Sequence, residues 1–179
     1  MMVFFHRSFF VTSASSVREG TPSLRVRVRY LRDARELYAL GDGPGGLAPA
    51  TPLAAGMDLR ACMDAEEAVL PAGSRLAIPA GVAVEPLAPG AAGFVYSRSG
   101  LGARMGLTVS QGVGVIDPDY RGEIVVSLLN TSGEERRIRR GERIAQLVFQ
   151  PYFHALVEEA DALGETARGV GGFGHTGSL

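Results

Sequence analysis

From residue 53 onward, glycine or proline interrupts the chain roughly every 8–12 residues. A chain punctuated this closely has room for short strands and little else, which is the pattern of an all-β sandwich or barrel. The β-rich runs between the breaks are 66–70, 74–78, 81–86, 92–97, 106–110, 122–130, 135–139, 144–150 and 152–157. Before them, "LRVRVRY" at 24–30 alternates apolar and basic residues, so Leu24, Val26, Val28 and Tyr30 face inward from a half-buried strand. Helical patterning is confined to 31–40, through Leu31, Ala34, Leu37 and Tyr38, and to about one turn near 100–105. Residues 41–52 read as a loop by their Gly and Pro content. The block "GEERRIRRGER", 133–143, reads as a solvated hairpin with charged faces.

With 179 residues the chain is long enough for one domain with a real core. Three segments are expected: a flexible N-terminal extension at 1–23, a β domain at 24–167 and a glycine-rich C-terminal segment at 168–179. Net charge is −1, so bulk electrostatics give no reason to expect a nucleic-acid polymer as partner. No apolar run approaches the ~20 residues of a membrane span. All 18 basic residues are arginine, which excludes lysine Schiff-base chemistry and a Walker-type phosphate loop. Cys62 is the only cysteine, so neither an internal disulfide nor a multi-cysteine metal site can form. His6, His154 and His175 are too scattered to suggest zinc.

Five short stretches carry the chemistry. "AAGMDLRA", 54–61, sets Asp58 among small and apolar residues, where a carboxylate needs an arginine or a metal for company. "VYSRSGLG", 95–102, offers Arg98 and Ser99 as phosphate donors, and Gly100 lets a backbone amide come close. "GVGVIDPDYRGEI", 112–124, reads as a hairpin with Asp117 at its bend, because Asp117-Pro118-Asp119 is turn chemistry between apolar runs. Gln146 sits in an otherwise apolar strand, and a buried amide needs hydrogen-bond partners. The last stretch, "RGVGGFGHTGSL", contains a literal G-x-G-x-x-G at Gly169, Gly171 and Gly174. With five residues left after it, no helix can follow, so this is not a dinucleotide fingerprint. Its glycines still let amides approach phosphate oxygens, Arg168 is a bidentate donor, and Phe173 offers a flat face for a base.

In this order the five stretches resemble the five motifs of the trimeric dUTP diphosphatase (dUTPase) family, from Ala54 to Leu179. The resemblance implies a β jelly roll and a cytoplasmic homotrimer whose active sites each draw on three subunits. It implies hydrolysis of dUTP to dUMP and pyrophosphate with Mg2+ on the triphosphate, which limits uracil in DNA and supplies dUMP for dTTP synthesis. Asp117 would then activate the attacking water, and Tyr120 would stack on the deoxyribose and leave no room for a ribose 2′-OH. Gln111, Gly112, Val113, Gly114, Val115 and Ile116 would read the uracil edge, with Phe173 covering the ring. Arg98, Ser99, Gly100 and Gln146 would hold the phosphate chain, joined by Arg168, Gly172, His175 and Thr176 from the tail. Asp58 would touch the Mg2+ through water. Three features depart from the family: His175 stands where Ser is common, Gln111 where many relatives have Asn, and the 31–52 stretch is longer than usual.

Two other readings share the fold. A dCTP deaminase resembles the chain around "IDP", but its catalytic glutamate would fall at Ser127, a poor proton shuttle. A non-catalytic nucleotide sensor would keep the site and lose the turnover.

Overall fold

The computed structural model describes residues 22–40, 45–173 and 175. The N-terminal extension is therefore almost wholly outside the described residues, and so are Gly174 and Thr176 of the tail.

The alternating run forms β1 (Val26–Tyr30), with its arginines exposed and Val26, Val28 and Tyr30 half-buried, as the alternation predicts. The helical pattern that follows gives α1 (Ala34–Ala39), which buries Ala34 and Tyr38. Ten of the remaining described elements are then strands and one is a helix. They are β2 (Met57–Arg60), β3 (Glu67–Leu70), β4 (Arg75–Pro79), β5 (Val82–Pro86), β6 (Ala91–Tyr96), α2 (Ser99–Met105), β7 (Leu107–Val109), β8 (Gly114–Ile116), β9 (Val125–Asn130), β10 (Arg136–Arg139) and β11 (Arg143–Pro151). All strand pairs are antiparallel and fall into four sheets, ordered β2-β11-β6-β8, β4-β9-β7, β1-β5 and β10-β3.

The sheets enclose one core. Leu59, Leu70, Ile78, Leu107, Leu128, Ile138, Ile144 and Leu147 are fully buried in it, and each contributes about 1.5–3 kcal/mol by leaving water. Asn130 is the one buried polar side chain among the described residues, and it is fully satisfied. Its amide donates to the carbonyls of Leu70 (3.0 Å) and Glu134 (2.7 Å), and its Oδ1 accepts from the backbone N–H (3.0 Å) and hydroxyl (2.7 Å) of Ser132. That network holds the turn between β9 and β10 against the end of β3.

Three local expectations are corrected. The 112–124 stretch is not a simple hairpin. β8 pairs with β6, whereas β9 pairs with β4 and β7, so the chain leaves one sheet for the other between Ile116 and Val125. The turn itself forms as expected, with the Tyr120 N–H donating to the Asp117 carbonyl at 3.1 Å. Nor do β10 and β11 pair with each other across the charged block. β10 joins β3, where Arg137 and Arg139 face Glu67, and β11 joins β2 and β6. Residues 152–157 are not a strand. They have no ladder partner among the described residues, and Phe153, Leu156 and Val157 stand in solvent. Apolar alternation makes a strand only where a sheet edge accepts it.

Candidate active site

Strands β2 and β11 lie side by side, which puts Asp58 directly opposite Gln146. Strand β6, on the other side of β11, runs through Tyr96, also opposite Gln146, into Ser97 and Arg98. The three stretches singled out at Asp58, Arg98 and Gln146 thus converge because their strands are neighbours. A cavity of about 370 Å³ opens there, lined by Asp58, Arg98, Ser99, Gly100, Gln146 and Arg104, with Leu101 and Met105 at its base.

The carboxylate of Asp58 has found arginines. Arg98 Nε donates to its Oδ1 at 2.9 Å, and Arg143 Nε lies 3.5 Å from its Oδ2. The guanidinium of Arg98 also reaches the Arg143 carbonyl (3.3 Å). Arg143 gets to this position through a β-bulge. The β2–β11 register slips between Arg143 and Ala145, placing Arg143 opposite Arg60. Arg60 donates to the carbonyls of Gly141 (2.7 Å) and Leu40 (2.8 Å). Its pKa is held below the usual arginine value by burial and then by the nearby Arg143. One carboxylate therefore faces Arg98 and Arg143 with Arg60 beside them, and the surplus positive charge suits a polyanion.

The amide of Gln146 donates to the Ser97 carbonyl at 3.2 Å. A Cβ on Gly56 would come within 2.6 Å of Gln146 Oε1, so that strand crossing needs glycine. Ser99 begins α2, where the first backbone bond is Gly102 N–H to the Arg98 carbonyl (2.9 Å), leaving the earlier amides free for other acceptors. The helix ends on Gly106 at φ 67, a left-handed cap that glycine takes without strain.

The 111–120 stretch is elsewhere. Gly112 turns at φ 79, Val113 and Val115 are exposed, and Gly114 and Ile116 pair with Val95 and Gly93 of β6. Gln111 accepts from the Ser110 hydroxyl at 3.0 Å. A Cβ on Gly114 would meet Gln111 Nε2 at 3.2 Å. Because β8 runs antiparallel to β6, Asp117 emerges toward the Ala92 end, whereas Arg98 follows the other end. At ~3.3 Å per residue the separation is on the order of 20 Å. No residue of 111–120 lines the arginine-rich cavity. Tyr120 is about half exposed, and its hydroxyl donates to the Glu123 carbonyl at 3.0 Å.

The tail is apart from both. Arg168 donates to the carbonyls of Gly171 (2.8 Å) and Gly172 (3.4 Å), and the His175 N–H reaches back to Gly172 (3.3 Å). Phe173 stands fully in solvent. So one chain brings together Asp58, Arg98, Ser99, Gly100 and Gln146, and keeps Asp117, Tyr120, Arg168, Gly172, Phe173 and His175 separate. Arg104 at the cavity and Arg143 beside Asp58 were not singled out by sequence. A bulge has no one-residue signature, and Arg104 reads there as an ordinary helical surface residue. Ser127, the position a deaminase would need as glutamate, has its hydroxyl 2.8 Å from that of Ser110.

The dUTPase family model matches residues 46–177. A deoxyuridine 5'-triphosphate nucleotidohydrolase of Desulfitobacterium hafniense is 44% identical over 155 residues, covering 87% of this chain and 97% of that protein. Its namesake from Pseudomonas aeruginosa is 47% identical over 129 residues, covering 72% and 85%. Among solved structures, the Staphylococcus bacteriophage 80alpha dUTPase with dUPNHPP superposes at a TM-score of 0.70 and 24% identity, over 86% of this chain and 98% of that one. The Streptococcus mutans dUTPase superposes at 0.58 and 27% identity, over 74% and 98%. The fold is therefore that of the dUTPases, and with a family match spanning all five motif stretches, the chain belongs to the dUTPase family.

Proposed function

We propose that this protein hydrolyses dUTP to dUMP and pyrophosphate in a homotrimer whose active sites are shared between chains. The observation that carries the reading is the gathering of Asp58, Arg98, Ser99, Gly100 and Gln146 around one arginine-rich cavity, with Asp117 on the order of 20 Å away. A phosphate chain fits the first group. A neighbouring copy supplies the water-activating carboxylate that the same chain keeps out of reach.

In this mechanism Arg98, the amides of Ser99 and Gly100, and Gln146 hold the phosphates, and Arg104 and Arg143 add charge. Asp117 of a second chain accepts a proton from the water whose oxygen attacks the α-phosphorus. The bond from that phosphorus to the bridging oxygen breaks, and pyrophosphate leaves. The backbone of 111–116 reads the uracil edge, and Tyr120 lies under the deoxyribose. Arg168, Gly172, Phe173, His175 and Thr176 of a third chain close over the nucleotide.

The metal of the reaction is Mg2+ carried by the triphosphate. Among the described residues no three His, Cys, Asp or Glu side chains cluster as a metal cage. Asp58 is a single carboxylate already shared between two arginines, which suits contact through the ion's water shell. When bound, Mg2+ offsets phosphate charge and orients the chain for in-line attack.

Pyrophosphate release by purified protein with Mg2+ across dUTP, dCTP, dTTP and UTP tests base, sugar and reaction type together. Release from dUTP alone is the expected result. Ammonia from dCTP, or dUTP binding without turnover, overturns it.

A further inference from the structure

The segment between β1 and β2 has no part in the mechanism above, yet its first turn reaches the substrate loop. Arg32 is the only described non-glycine residue at positive φ, at 50°. A side chain there is strained, and the conformation persists only where surrounding contacts hold it. Its guanidinium is held, donating to the Cys62 carbonyl (3.2 Å) and pairing with the carboxylate of Glu123. The same Glu123 oxygen accepts the N–H of Gly81 at 2.8 Å. Glu123 is thus fixed from two elements, and its own backbone carbonyl is the acceptor of the Tyr120 hydroxyl.

Tyr120 folds back over its own turn. A Cβ on Gly122 would overlap the Tyr120 hydroxyl and lie 2.5 Å from Cζ and 2.8 Å from Cε2. The ring occupies space that only glycine leaves. On the far side, Arg121 donates to the carbonyls of Pro118 (2.6 Å) and Tyr120 (3.2 Å) and to Glu85 (3.2 Å), so the turn itself is anchored independently of Arg32.

We propose that Arg32 is a positioning residue that sets sugar selectivity: through Glu123 it tethers the hydroxyl of Tyr120, and Gly122 provides the seat for the ring. The inference rests on the dUTPase reading above, in which the Tyr120 ring lies where a ribose 2′-OH would have to go. An aromatic ring excludes one hydroxyl only if it cannot yield by about an ångström. Two ends of this ring are fixed, the backbone by Arg121 and the phenol by the Glu123 carbonyl. Loosening the second end frees the ring to tilt and admits the ribose.

The test uses full-length protein and three variants. Arg32→Gly removes the guanidinium while suiting φ 50°, so it does not add backbone strain. Gly122→Ala displaces the ring directly. Tyr120→Phe removes the tethered hydroxyl. The readout is the ratio of kcat/KM for dUTP to that for UTP. Each variant is expected to lower that ratio at least about tenfold, chiefly by raising UTP turnover relative to dUTP turnover. If Arg32→Gly lowers both rates by the same factor and leaves the ratio intact, Arg32 is merely structural and the inference fails. A wild type inactive on dUTP instead overturns the function, and with it the selectivity claim. The tether is read separately by fluorine NMR of 3-fluorotyrosine protein without nucleotide. The Tyr120 resonance, assigned by its loss in Tyr120→Phe, is expected to shift in Arg32→Gly; an unmoved resonance overturns the tether whatever the kinetics.

Discussion

Asp58 and Asp117 are both aspartates in the motif stretches, and under the proposed function their surroundings suit them to different work. Asp58 is flanked by Arg98 and Arg143, whose guanidiniums fix its two carboxylate oxygens in place. Asp117 stands at the entry to a turn, bonded through its backbone carbonyl rather than committed to an arginine. Replacing each by asparagine separates the roles. Asp117→Asn is expected to cut kcat by about 10²–10⁴-fold with nucleotide affinity kept, as removal of a general base does. Asp58→Asn is expected to act on the metal: the Mg2+ concentration for half-maximal rate rises, while saturating Mg2+ restores most of kcat. Steady-state rates over a Mg2+ titration distinguish the two, and an Asp117→Asn protein with near-wild-type kcat removes that residue from the base role. Both aspartates were legible in sequence because each stands out against its neighbours. Their division of labour was not, since it depends on which arginines the strands bring alongside.

Helix α1 shows what an element can be for when its own sequence is too short to be stable. Six residues form no helix alone. This one is held by Tyr38, which is buried, donates to the Ala80 carbonyl (3.0 Å) and accepts the Arg60 N–H (3.1 Å). Gly81 makes the close packing possible. It sits at φ 68, and a Cβ there would collide with Ala34 and approach Cys62 Sγ to 2.7 Å. Tyr38→Phe leaves a carbonyl and an amide without partners and is expected to cost about 1–3 kcal/mol in urea unfolding. Burial raises the Tyr38 pKa well above its ordinary 10.0. The folded state therefore keeps this proton where the unfolded chain loses it. The stability is fully present below about pH 10 and is lost as pH rises further, so the wild type should show an alkaline decline that Tyr38→Phe lacks in part. Equal alkaline slopes for the two proteins would sink this account. The alternation of β1 and the pattern of α1 could be read directly, because each is a local period meeting a core. The hairpins assumed at 112–124 and 133–143 failed for the opposite reason. Sequence nearness suggested pairing, but the actual partners, β6 for β8 and β3 for β10, lie far along the chain.

At the scale of the whole molecule, the proposed function makes one chain an incomplete active site. The cavity around Arg98 lacks a base, the loop of Asp117 lacks phosphate donors, and the tail lies away from both. Beyond Pro151 the described chain runs exposed, carrying Phe153, Leu156, Val157 and Leu163 in solvent, which the proposed trimer would give a surface to pack on. The five motifs were legible because each is a short contiguous stretch. Their convergence was not, because under the proposed function it crosses chain boundaries that no single sequence contains. Ordering a segment with so many glycines costs conformational entropy, so the tail is expected to close only when phosphate and base contacts offset that cost. Removing residues 168–179 should therefore spare assembly and abolish most turnover. Sedimentation should still report three 18.9-kDa chains, with an unchanged melting temperature and pyrophosphate release reduced at least about a hundredfold. A truncated protein that unfolds or dissociates would make the tail a structural clasp instead. One that keeps full activity would leave Arg168 and Phe173 without a role in the reaction.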